Sequence, residues 1–374
     1  MSEREDLRSA PSRRSRIAAF DLARGLALGF IVMLHVTAAH ASPGVWRTTF
    51  GTVIGFLGSV PSAPTFMFLM GASQAFSSRT SVRKGIRRGV ELLLLGYLLN
   101  LLRGTLPIII TTRLGIITLE QIAPRTATSE FWIVDILQHA GMALIVLAII
   151  RWCMPRPYQW LLLSVPVAIG APLLWGRMTG WPVLDWMLSL FWGTDDGVIH
   201  TIFPWLSYSL VGMAWGAWIS ASARHHAFFG GMILTGSCLA AIAAAVGHAD
   251  PQFPGGGYPD ARPIIVAWVV GFVLCWTGIC HFVTSVVPAN PVFRLLFYWS
   301  KNVTAFYFIQ WLLIYWAVAV VGFRECSLWS TILSMTVVIA LTDRITRLWA
   351  RRRRRKVEGP GRDAPLPQQG GTTG

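Results

Sequence analysis

Residues Arg16–Ser42, RIAAFDLARGLALGFIVMLHVTAAHAS, make an apolar stretch long enough to cross a membrane as one helix, yet they carry Asp21, Arg24 and His35. Ionised side chains at membrane depth are costly, so their default reading is functional. At about 100° per residue, Arg24 and His35 differ by three turns plus roughly 20°. They therefore share one face, about 16 Å apart along the axis. Asp21 falls about 60° from Arg24 and is placed to pair with it. Gly25 and Gly29 flank this stripe as a small-xxx-small pair that lets a neighbouring helix approach closely. The helix is expected to form one wall of a polar cavity, with a cation at one end and an imidazole at the other.

The composition of the remaining chain agrees with a membrane setting. Of 374 residues, 54% are hydrophobic and only 13% charged, with mean hydropathy +0.54. A soluble domain carries about 25% charged residues. Repeated apolar runs predict an all-α polytopic membrane protein. The net charge of +15 is not a nucleic-acid signature, because the basic residues sit in tails and alternate loops. Cys153, Cys238, Cys275, Cys280 and Cys326 show neither metal-ligand spacing nor a paired framework. No metal site is expected. The first apolar run is too long for a cleaved signal peptide and reads as a retained anchor.

Ten spans are expected, about 17–38, 50–76, 86–105, 131–151, 159–175, 203–222, 228–247, 263–284, 299–321 and 327–349. Pro61 and Pro64 should break the second into a half-helix with irregular backbone before it. The piece LPIIITTRLGIITL in 106–130 looks too short to span and suggests a re-entrant or interfacial segment. Residues 1–15 read as a disordered, Arg-rich cytoplasmic tail, and 16–350 as the membrane domain. From Arg351 five arginines and Lys356 precede Pro, Gly and Gln, a basic anchor to anionic lipid followed by disorder. With both termini in the cytoplasm, inside segments hold more than three times as many Lys and Arg as outside loops, Arg103 being assigned to one of these loops. This orientation puts Arg24 near the cytoplasm and His35 near the outer face of the cell membrane. Trp175, Trp181, Trp186 and Trp192 in the loop near 176–200 suit the interface.

Several motifs then point to a family. Arg24-Gly25-Leu26-Ala27 with His35 resembles the signature of acyltransferase-3 membrane proteins. Ala63-Pro64-Thr65-Phe66-Met67-Phe68-Leu69-Met70-Gly71-Ala72-Ser73 resembles the second helix of the heparan-alpha-glucosaminide N-acetyltransferase-like family. Asp135-Ile136-Leu137-Gln138, Phe203-Pro204-Trp205-Leu206 with Gly212, and Lys301-Asn302 with Tyr307 are similar to later elements of that family. The last pattern often has a His where this chain has Gln310. The resemblance implies transfer of an acyl group, usually acetyl, from cytoplasmic acyl-CoA to a hydroxyl or amine of an extracytoplasmic sugar or glycan. It implies acetyl-CoA as co-substrate, the lipid bilayer as environment and no nucleic-acid partner. A homodimer is left open.

The residue chemistry suits that reaction. Arg79, Arg83, Lys84, Arg87 and Arg88 form the densest internal basic patch and could meet the phosphates of CoA, with Arg24 deeper for the pantetheine or a phosphate. The patch could equally serve topology and lipid contact. His35 could act as the base that takes the acceptor proton, or form an acyl-His intermediate. His40, in His40-Ala41-Ser42, is the rival base. Asp135, Gln138 and His139 fall on one helix face at i, i+3 and i+4. Asp135 could orient a catalytic His or bind acceptor hydroxyls, or it could simply suit a helix N-terminus. Gln138, His139, Asn302 and Tyr307 are candidates for acceptor binding, Asn302 and Tyr307 with interhelical hydrogen bonding as the plainer role. Glu91 should face a cavity. His200, His248 and His281 receive no role, and Asp195-Asp196 reads as a solvated loop. The rival classes are a small-molecule transporter or exporter and an inactive scaffold.

Overall fold

A computed structural model describes residues 16–76, 81–193, 200–248 and 262–358. Asp195 and Asp196, Arg79, the first 15 residues and the chain beyond 358 lie outside the described residues. The described chain is helical throughout: α1 Ala18–His40, α2 Pro43–Trp46, α3 Thr49–Ser59, α4 Ala63–Phe76, α5 Val82–Asn100, a π turn Leu101–Thr105, α6 Leu106–Arg113, α7 Leu119–Ile122, α8 Ala127–Trp132, α9 Ile136–Cys153, α10 Pro157–Leu174, α11 Pro182–Trp192, α12 Ile202–Ala221, α13 His225–Gly247, α14 Pro263–Val286, α15 Pro291–Lys301, α16 Val303–Val321 and α17 Leu328–Glu358. An isolated bridge pairs Ala41 with Cys326.

Nine helical segments among the described residues are long and apolar enough to cross a membrane. The remaining expected span is α12, whose tryptophans, tyrosine and serines lower its hydropathy. Most of α12 is buried, so protein rather than lipid surrounds it. With α12 the described residues hold ten helical segments in the places expected of spans, and α1 begins at the same end of the bundle at which α17 finishes. The all-α polytopic architecture read from the sequence is the one observed.

Two details differ from expectation. LPIIITTR is not a separate re-entrant piece. It continues α5 through the π turn, giving one helical run over Val82–Arg113. Pro107 has no N–H and would leave a carbonyl of the preceding turn without its donor. In the π register that carbonyl belongs to Leu102, and the Trp316 indole N–H donates to it at 3.1 Å. Arg103 is thereby a buried helix residue and not part of an outer loop. Asp21, for its part, pairs with Arg16 at 3.0 Å and accepts from the Ser300 hydroxyl at 2.7 Å, not from Arg24. The Pro61–Pro64 break is present, between α3 and α4.

Lipid offers no hydrophobic drive between helices, so close van der Waals packing must hold them. Glycines provide it. A Cβ at Gly71 of α4 would overlap the Ser209 carbonyl of α12, and one at Gly212 would overlap the Phe68 carbonyl of α4. Gly89 of α5 and Gly141 of α9 meet in the same reciprocal way, with 2.5 and 2.6 Å to the facing carbonyl. On α1, Gly25 admits the backbone of α15 at Leu296, whereas Gly29 has room to spare beside Trp299. The α1 helix stops at its far end because Pro43 follows, and the 322–326 loop covers that end: Cys326 N–H donates to the His40 carbonyl at 2.8 Å.

Replacing Gly212 by Leu should force α4 and α12 apart at a cost of about 3 kcal/mol or more. The variant should lose its monodisperse peak in detergent size-exclusion chromatography. Gly230→Leu, where the new side chain meets open space, should keep it.

Candidate active site

Local sequence fixes the central acid. Asp135 is the N-cap of α9: its Oδ1 accepts from the Ile136 N–H at 2.7 Å, while Gln138 Oε1 accepts from the Asp135 N–H at 3.2 Å. This capping box leaves Oδ2 free to face inward. Arg103 Nη1 meets Oδ2 at 2.8 Å, and the Tyr307 hydroxyl donates to the same oxygen at 3.0 Å. His200 Nδ1 stands 3.4 Å from Oδ1. Both partners of the ion pair are buried, with side-chain exposures of 4% for Arg103 and 9% for Asp135. Arg103 Nη2 also donates to Asn100 Oδ1 at 3.3 Å, and Asn100 in turn donates to the Phe131 and Ile133 carbonyls. The π turn thus aims one arginine at one helix N-terminus.

His35 approaches this group from α1. Its ring stacks on Trp311 with centroids 3.7 Å apart, and Arg103 lies over the same indole with Cζ at 4.1 Å. A cavity of about 290 Å3 opens here, lined by His35, Arg103, Arg125, Asp135, His200 and Trp311 among others. Arg125, on the lining, donates to the Tyr315 hydroxyl at 3.0 Å and faces Glu130 at 3.5 Å. Burial pushes the Glu130 carboxyl up, against the pull of Arg125 and Arg103.

At the opposite end of the bundle a second cavity of about 600 Å3 lies between α4, α5 and α9. Lys84, Arg87, Arg88 and Arg151 line it, with Gln74, Ser81 and Glu91. Glu91 does face a cavity, paired with Arg87 at 3.0 Å and Arg88 at 3.3 Å. Arg151 donates to the Gln74 carbonyl. The two cavities have no lining residue in common.

A model of the heparan-alpha-glucosaminide N-acetyltransferase catalytic domain matches residues 16–249. The chain belongs to this family. Its membership makes the protein a multi-pass membrane acetyltransferase by kind. No curated protein matches the chain. The matched stretch brings His35, Arg103, Asp135 and His200 to the cavity of this family member, while Tyr307, Gln310 and Trp311 come from α16, beyond it.

Other residues singled out from sequence fall elsewhere. His40 is fully buried, with Nδ1 at 2.8 Å from Ser334 Oγ and Nε2 at 2.9 Å from the Ile314 carbonyl. Both nitrogens are occupied and the ring does not line the cavity. Arg24 donates to the Leu69 carbonyl at 3.4 Å and Ser73 Oγ at 3.1 Å, bracing α1 against α4 outside both cavities. Arg83 is absent from the second cavity's lining. Gln138 serves the capping box and packs on Gly96. His139 is buried beside Trp205, at 6.3 Å between centroids. Asn302 joins α15 to α16 and donates to the Tyr298 carbonyl at 2.9 Å. Sequence reasoning missed Arg103, His200, Trp311 and Arg125. For Arg103 a signal existed: a cation inside the apolar run LLNLLRGTLP.

Removing one partner of a buried ion pair strands the other, whereas removing both can be nearly neutral. Asp135→Leu should cost about 3–5 kcal/mol, and Arg103→Leu combined with Asp135→Leu markedly less. Thermal unfolding of the single and double variants in detergent reads this difference.

Proposed function

We propose that the protein moves an acetyl group from acetyl-CoA, bound at the Lys84, Arg87 and Arg88 end, to an amine or hydroxyl of a sugar or glycan in the His35 cavity. The observation that carries this reading is the joining of two imidazoles, His35 and His200, with the buried Arg103 and the Asp135 carboxylate around a single cavity in a member of an acetyltransferase family. His35 takes the proton as the acceptor attacks the thioester carbonyl. Arg103, held by Asp135 and Tyr307, faces the negative charge that grows on the carbonyl oxygen. The C–S bond then breaks and the sulfur receives the proton, releasing CoA as a thiol. Asp135 on this reading positions Arg103 and not the imidazole. An acyl-His35 intermediate uses the same residues in two steps.

The proposed orientation follows the charge bias: both termini and the Lys84, Arg87 and Arg88 cavity in the cytoplasm, and the His35 cavity on the outer side of the cell membrane. Lys84, Arg87, Arg88 and Arg151 would meet CoA phosphates, with Arg83 at the entrance and Arg24 bracing the helix that carries the base. Gln138 and His139 would support acceptor binding through the α9 N-terminus, Tyr307 through Asp135, and Asn302 through the placement of α16. His40 would act in folding.

Purified protein should release CoA thiol from acetyl-CoA only when an amino sugar such as glucosamine is present. His35→Ala should lower kcat at least about 100-fold. Arg87→Gln with Arg88→Gln should mainly raise the KM for acetyl-CoA. His40→Ala should lower the yield of folded protein while leaving activity per folded molecule within about threefold, because its partners are structural. A transporter would show no thiol release and would survive the loss of His35.

A further inference from the structure

Gln310 stands on α16 one residue before Trp311 and is fully buried. Its amide meets His35 at Nδ1, with Oε1 at 3.3 Å and Nε2 at 3.2 Å. Among the described residues, the hydrogen bonds to this ring come from Gln310 alone. Trp311 fixes the plane of the ring by stacking, and Tyr307 meets it edge-on at 6.2 Å between centroids. Asp135 is committed to Arg103, Tyr307 and His200. His35 therefore lacks the carboxylate that usually orients a histidine base.

A neutral imidazole carries one N–H, and the partner of one nitrogen decides where it sits. When the amide oxygen accepts from Nδ1–H, Nε2 keeps its lone pair and can take a proton. When the amide N–H donates to Nδ1, the proton sits on Nε2 and the ring can only donate there. The two amide atoms stand at nearly equal distances from Nδ1, so the choice between these arrangements follows from the role of His35 as the base. We propose that Gln310 is the positioning residue that keeps the proton of His35 on Nδ1 and leaves Nε2 as the free, basic nitrogen. The glutamine standing where the resemblance leads one to expect histidine is then a working substitution, not a sign of lost function. The assignment extends the reading of His35 as the base, but the proton's location can be measured without it.

The test uses the full chain, labelled with 15N-histidine, in detergent or nanodiscs. Long-range 1H–15N spectra distinguish a protonated from an unprotonated ring nitrogen, and His35→Gln identifies the signals of His35. The wild type should show Nδ1 protonated and Nε2 bare. Gln310→Leu and, as a second apolar replacement, Gln310→Met should give a mixture or the reverse. A wild-type proton on Nε2, or a pattern unchanged in both variants, overturns the proposal. In thiol-release kinetics both variants should lose at least about tenfold in kcat with the KM for acetyl-CoA within about twofold. Unchanged kcat per folded molecule also overturns it. If the wild type has its proton on Nδ1 yet releases no thiol with any amino sugar, the positioning assignment stands and the transferase reading falls.

Discussion

The charge on Arg103 has to be met inside the bundle, because neither lipid nor bulk water can meet it there. Taking a guanidinium and a carboxylate out of water costs several kcal/mol each, and only good geometry with further hydrogen bonds returns that cost. The 2.8 Å contact with Asp135 brings the opposite charges together, Asn100, Tyr307 and the α9 N-terminus supply hydrogen bonds, and His200 stands alongside at 3.4 Å. Each of these partners comes from a different part of the chain. The ion pair thus ties the π turn, α9, α16 and the segment before α12 to one point. That point is also where the cavity opens.

Seen from this pair, the roles of the polar residues divide cleanly. Asp135 caps a helix and neutralises an arginine with the same carboxylate, one oxygen for each task. The two readings of Asp135, helix cap or functional acid, are therefore not alternatives. His35 is left to Gln310 and Trp311, a neutral amide and a flat apolar surface.

Much of the fold was legible because membrane insertion writes itself into composition. Apolar runs, charge bias and the Pro61–Pro64 break gave the passes and the interruption at α3–α4. The π turn was not legible, since its cue is one proline whose lost donor is replaced by Trp316, more than 200 positions away. The site was half legible. Helical spacing placed Arg24 and His35 on a common face, but spacing cannot tell a cation that lines a cavity from one that braces two helices. Arg24 braces, and the buried cation on the cavity wall is Arg103, which the charge pattern assigns to a loop. His40 and His35 look alike in sequence. Ser334 and the Ile314 carbonyl, contributed by α17 and α16, separate them.

The lack of any shared lining residue between the two cavities has a consequence for whatever must travel from one to the other. Leu28 and Val32 on α1, Met67 and Leu69 on α4 and Met213 on α12 are fully or almost fully buried and line neither cavity. An acyl group handed from one chamber to the other would have to part packed side chains and fill the gap as it goes, in the manner of an airlock.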